Sequence, residues 1–342
     1  MAPATSWKEV VQPGEADQLE KLGLRLRDLQ RKRANDGPAS RALHAKGWAG
    51  VEGQFEVLPD VPDYARVGIF AQAGTYRAYV RFSNGSSSKR HDRAPDVRGI
   101  ALKLLGVPGK KIIPALTDAT TQDFLLILSA ATPFRNADEF VWFVFANQNQ
   151  STLLPKAIFR FGPWRALAIL KRLIAGSSTP ITSAATSRYF SALPTRFGPF
   201  AAKYSLAPHA APEAGKEPGT SRDYLGDELA TRLAAGPVVY DFCAQFFVDE
   251  TKTPIEDSSV EWREAEAPFV KLARLTIPKQ DLRSPRGQKL AAFVERLSFD
   301  PWHAPEEFRP LGNMMRARNA AYRLSTEERK AADEPDGSER YE

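Results

Sequence analysis

The chain has 342 residues, 43% of them hydrophobic and 26% charged, with 47 Lys+Arg against 41 Asp+Glu for a formal net charge of +6. That balance excludes a disordered chain or a fibre, and no run of ~18 apolar residues offers a membrane-spanning helix. One cysteine, Cys243, excludes an internal disulfide and a thiolate cage, and the scattered histidines exclude an HExxH-type metal site.

The first residues show no basic segment followed by an apolar one, so the expected location is cytoplasmic. Basic residues occur in short clusters such as Arg31-Lys32-Arg33 rather than as a stripe with aromatics, so nucleic acid is not an expected partner. Leu19, Leu22, Leu26 and Leu29 recur at helical spacing over 14–36, and Gly37-Pro38 stops the run. Residues 1–38 therefore read as a helical arm that packs on something else, such as a second subunit of a homo-oligomer.

From 50 to 130 the pattern is β, with strands expected at 54–58, 76–82, 99–104 and 123–128, separated by turn clusters. Two more follow at 238–247 and 269–277, while 134–235 read as helical or irregular. Many strands with few helical crossovers predict an α+β fold built on an antiparallel barrel of about eight strands, with surrounding helices. Residues 152–176 mix leucine, isoleucine and phenylalanine with Lys156, Arg160, Arg165, Lys171 and Arg172. A basic amphipathic helix can lie on an anionic membrane surface, but packing on the barrel with snorkelling bases is the favoured reading. Residues 205–222 read as a surface loop and 279–312 as a long Pro-containing connection. A helix is expected from Asn313 to about Ala332, and 333–342 as a disordered tail.

The chemistry-bearing group lies on that last helix. Arg318 and Tyr322 stand four apart and share a face, so the guanidinium can reach the phenol. An adjacent positive charge favours the phenolate, a hard anionic ligand suited to ferric iron.

Upstream, Arg41-Ala42-Leu43-His44-Ala45-Lys46-Gly47, Phe55-Glu56-Val57, Val80-Arg81-Phe82-Ser83, Asp96-Val97-Arg98-Gly99-Ile100-Ala101-Leu102-Lys103 and Phe299-Asp300-Pro301 precede the Arg318/Tyr322 pair, in that order. These strings closely resemble the motifs of the haem catalase superfamily over roughly residues 38–332. The chain lacks the long extensions of full-size catalases and so resembles the small catalase-related branch. The resemblance implies a catalase-like domain over 39–332 that binds one haem b, with Tyr322 as the proximal ligand of the iron and Arg318 beside it. It also implies His44 as the distal histidine, Ser83 as its hydrogen-bond partner, and Arg41, Arg81 and Arg329 on the haem propionates. Phe140, in Arg135-Asn136-Ala137-Asp138-Glu139-Phe140, matches the phenylalanine over the haem.

One position departs from the family. Catalases carry an asparagine opposite the distal histidine, and counting back from Arg135 puts Ile127, Leu128 or Ser129 there, with Leu128 the better aligned. Thr120 and Thr121 are the substitutes if the gap falls elsewhere. The expected function is hydroperoxide cleavage or reduction at haem, with weak or no dismutation of hydrogen peroxide. The substrate would be hydrogen peroxide or an organic or lipid hydroperoxide. A fatty-acid hydroperoxide isomerase or lyase and a non-catalytic haem sensor or store are the alternative readings.

Overall fold

The computed structural model describes residues 2–34, 39–147, 150–177, 181–210 and 220–341. Period-two alternation in the β-rich half turns Val51, Phe55 and Val57 of β1 (Gly47–Val57) to one side. Val80 and Phe82 of β2 (Gly74–Asn84), Ile100, Leu102 and Leu104 of β3 (Arg98–Leu105), and Phe124 and Leu126 of β4 (Thr121–Ile127) face the same side. These side chains fill one core with those of β7 (Phe200–Pro208), β8 (Val238–Phe246) and β9 (Phe269–Ile277). At its centre Phe242 meets Phe55 at 5.0 Å and Phe124 at 4.9 Å between ring centroids, in the edge-on geometry that aromatic quadrupoles favour.

All pairings are antiparallel, in the order β4-β3-β2-β1-β9-β8-β7. The two-residue strand β5 (Tyr189–Phe190) pairs with β4 on one side and β7 on the other. It closes an eight-stranded barrel, and β6 (Thr195–Phe197) folds back on β7 as a ninth strand. The barrel is therefore as expected, but β5, β6 and β7 fall in the stretch read as helical or irregular. Alanines and a lysine dilute the β signal of β7, in Phe200-Ala201-Ala202-Lys203-Tyr204.

Seven helices are described. α1 (Glu15–Ala34) buries Leu19, Leu22 and Leu26 against Met314 and Met315 of α7 (Asn313–Glu328), beside Val141 of α2 (Ala137–Ala146). The arm thus packs within its own chain; Gly37-Pro38 lie outside the described residues. At Gly23 the helices come so close that a Cβ would sit 3.3 Å from the Ala320 carbonyl carbon. α3 (Leu153–Phe161) and α4 (Pro163–Ser177) form a hairpin on this helical cluster rather than on the barrel. α5 (Tyr224–Ala235) follows the end of the expected 205–222 loop, of which 211–219 lie outside the described residues.

The expected connection at 279–312 contains α6 (Pro285–Arg296), started by Ser284, whose hydroxyl accepts from the Gly287 amide, and by Pro285 at the first helical position. The tail, expected to be disordered, lies along the barrel through residue 341. Glu334 accepts from Lys103 at 2.7 Å, the Gly337 carbonyl accepts from Arg77 at 2.7 Å, and Tyr341 is buried against Tyr79 and Phe293.

Candidate active site

The odd-numbered residues of β2, β3 and β4 point away from the barrel core. Register places Gly47 opposite Ser83, Ser83 opposite Gly99, and Gly99 opposite Ile127. Residues paired in this way share a face, so one row crosses four strands on the outer wall. His44 lies just before β1 with its amide on the Gly85 carbonyl. Its φ of 55° is in the left-handed region, an uncommon conformation for a side chain other than glycine. The imidazole lies over Gly99: a Cβ there would be 2.8 Å from His44 Cε1, so only glycine leaves room. His44 Nδ1 and Ser83 Oγ are 2.9 Å apart, the pairing expected of them. Burial, then the positive charges of Arg81, Arg318 and Arg41, push the imidazole down to about 3, so it is neutral at working pH.

Across from this wall, α7 presents Arg318 and Tyr322. Arg318 Nη2 donates to the Tyr322 hydroxyl at 2.6 Å, and the guanidinium carbon stands 4.9 Å from the centre of the ring. Trp302, just after Phe299-Asp300-Pro301, anchors the helix by donating from its indole to the Met315 carbonyl at 2.9 Å. Behind α7, the leucine face of α1 completes the support.

Three arginines gather at the edge between wall and helix. Arg41 donates to the carbonyls of Glu295 (2.9 Å) and Leu297 (2.7 Å), and Arg329 to Leu297 (2.7 Å) and Arg296 (3.1 Å). Arg81 binds the Glu295 carboxylate through Nε at 2.8 Å and Nη2 at 3.1 Å, and the His44 carbonyl at 2.9 Å. The cluster is thus held by the C-terminal end of α6, where helix carbonyls lack intrahelical partners. Glu295 was not foreseen, because its stretch carried no motif and read as a connection.

This charge does not balance. Glu295 is the carboxylate that acts on Arg41 and Arg329 as well as pairing with Arg81. Burial and then mutual repulsion hold Arg41 well below the usual guanidinium range, and its buried Nε makes no hydrogen bond among the described residues. Three guanidinium groups around one carboxylate suit a dianion, and arginine forks suit carboxylates. Together with a phenol four residues from an arginine, this donor set fits a haem with two propionates.

Phe140 lies on α2. It is half-buried in the α1–α2–α7 cluster, its ring 5.6 Å from that of Phe134. The distal position is corrected from Leu128. Leu128 packs against the barrel core, whereas Ile127, opposite Gly99, lies on the outer wall with Ser83. The Ser129 hydroxyl donates to the nearby Ala131 carbonyl and that of Thr121 to Glu334 in the tail, so neither replaces the asparagine.

A closed antiparallel barrel with seven described helices around it, one of them bearing Arg318 and Tyr322, defines the class: this is the catalase fold. The Catalase family model matches residues 23–110. A catalase-related peroxidase of Mycolicibacterium paratuberculosis is 29% identical over 306 residues, 86% of this chain and 91% of the relative. Catalase A from Saccharomyces cerevisiae superposes over 90% of this chain with a TM-score of 0.64 at 17% identity, and a fungal catalase with 0.66 at 16%. A bacterial catalase gives 0.63 at 18%. The chain spans 60–64% of the length of these solved catalases.

Proposed function

We propose that the chain is a haem b-dependent peroxidase that reduces hydroperoxides and dismutates hydrogen peroxide weakly or not at all. The observation that carries this reading is Ile127, an apolar side chain in the row of Ser83 and Gly99 where a second peroxide would need a hydrogen-bond donor.

When bound, haem supplies a ferric centre that accepts peroxide and exchanges electrons with it. The protein does the rest. Tyr322 would ligate the iron and Arg318 orients its oxygen. Arg41, Arg81 and Arg329 would hold the propionates. His44, neutral and with Nδ1 engaged by Ser83, is left with Nε2 to take the proton from one peroxide oxygen and return it to the other. In a full turnover an organic donor gives two electrons and two protons, and the hydroperoxide leaves as alcohol and water. Partly exposed Leu125 and Ile127 make this wall apolar, which favours an organic or lipid hydroperoxide over hydrogen peroxide.

The test is the visible spectrum of the purified protein, followed by turnover with hydrogen peroxide, cumene hydroperoxide and a fatty-acid hydroperoxide. Alcohol formed with donor oxidation supports a peroxidase. Vigorous oxygen release, or conversion of the lipid to an allene oxide or aldehyde without a donor, refutes it.

A further inference from the structure

The α3–α4 hairpin carries apolar side chains on two opposite faces. Ala157, Ala166 and Ile169 are buried, Ile169 in the helical cluster with Phe161 and Leu173 packed against it, which accounts for one face. On the other, Phe159 is 95% and Trp164 84% exposed, with Leu154, Ile158 and Leu167 also in solvent. A helix pair apolar on both sides has a second face that water does not suit. The favoured expectation set this segment on the barrel with snorkelling bases; its inner face packs on the helical cluster instead.

Charge decides what covers the outer face. Residues 150–177 contain five bases, Lys156, Arg160, Arg165, Lys171 and Arg172, and no aspartate or glutamate. Arg160 and Arg165 are engaged by Asp138 and Glu139 of α2. Lys156, Lys171 and Arg172 are exposed and form no ion pair among the described residues. Trp164 and Arg172 also line a groove of about 510 Å³ between α4 and residues 257–260. Phe159 and Trp164 flank the turn at Gly162, whose φ of 78° ends α3 before Pro163 starts α4, so both aromatics stand at the tip of the hairpin.

We propose that this tip is a membrane-docking surface, inserting Phe159 and Trp164 at the headgroup level of an anionic bilayer while Lys156, Lys171 and Arg172 meet lipid phosphates. Tryptophan is suited to that depth because its ring is apolar with one polar end. The exposed cations Lys156, Lys171 and Arg172, on a segment with no acid of its own, complement an anionic surface, whereas the same cations on a second copy would repel it.

Flotation of the 342-residue chain with phosphatidylcholine vesicles, with and without phosphatidylglycerol, tests the surface. Binding is expected only to the anionic vesicles and weakens as salt is raised. Lys156→Gln with Lys171→Gln should weaken it about twenty-five-fold, at roughly fivefold per basic residue. Phe159→Ser with Trp164→Ser should abolish insertion, and all four positions are exposed, so peroxide turnover stays unchanged. Equal binding of wild type and both double variants, or no binding to anionic vesicles, overturns the proposal. A dimer in light scattering that the aromatic double variant dissociates also overturns it, by assigning the face to a second copy.

Discussion

In the proposed function three side chains, Tyr322, His44 and Ile127, each have a distinct signature when changed. Tyr322→Phe removes the oxygen that Arg318 holds at 2.6 Å. The variant is expected to purify with little haem, measured as the ratio of visible to protein absorbance; a full complement with an unchanged spectrum would refute the proximal role. His44→Ala should retain haem but slow peroxide consumption by ~10²–10⁴-fold, the usual scale for general acid–base transfer.

His44 also makes stability depend on pH. Its folded value lies near 3 through burial and then the surrounding arginines, below the ordinary 6.5, so the unfolded chain binds the proton more tightly. The stability from a neutral His44 is complete above pH ~6.5 and declines by up to about 1.4 kcal/mol per unit as pH falls toward 3. Melting of wild type should therefore fall more steeply over that window than melting of His44→Gln. Ile127→Asn, rather than a change at Leu128, should raise oxygen release from hydrogen peroxide. The gain can approach ~10²-fold where orientation of the second peroxide is the missing factor, and no rise in an oxygen-electrode trace would show that Ile127 is not the limiting residue.

Among the elements, the strands of β1 to β4 and the order of the motifs were legible because alternation and the Arg318/Tyr322 spacing are local signals. β7 was obscured by its alanines. α6 was announced by Ser284-Pro285, a cap followed by proline, yet was passed over because the stretch around it is rich in proline. Leu128 seemed the better position from counting, but strand parity, visible only once β3 and β4 are paired, turns it into the barrel. The tail was misjudged because its polar composition hides what Glu334 does. Lys103 and Asp123 are fully buried, and Glu334 completes the ion cluster with His303. Burial would raise the Glu334 carboxyl, but Lys103 and His303 outweigh it and hold it at about 2. That contribution is present above pH ~4.5 and is lost as pH falls toward 2. Glu334→Ala should cost about 1–3 kcal/mol in urea unfolding at neutral pH, since a buried ammonium loses one of its acceptors. A change below the error of the measurement would mean the tail does not bear on the barrel.

At the scale of the whole molecule, the site is an assembly of distant parts. The wall comes from residues 44–127, the arginine cluster needs the end of α6, and the phenol comes from α7, so no isolated fragment carries all the groups. A chain ending at Gly312 should therefore lose haem binding altogether, measured by titration with free haem against the intact protein; retention of tight binding would show that the barrel wall suffices.

The pairing of α1 with α7 also bears on how the protein is made. Roughly 280 residues separate Ala34 from Asn313. At ~5–20 residues per second of synthesis, the leucine face of α1 waits on the order of 15–60 s before its partner exists. During that interval the nascent chain presents an apolar stripe that a chaperone can hold. α7 is both the shelter for α1 and the element that brings Tyr322, so covering the leucine stripe and assembling the candidate site become a single event.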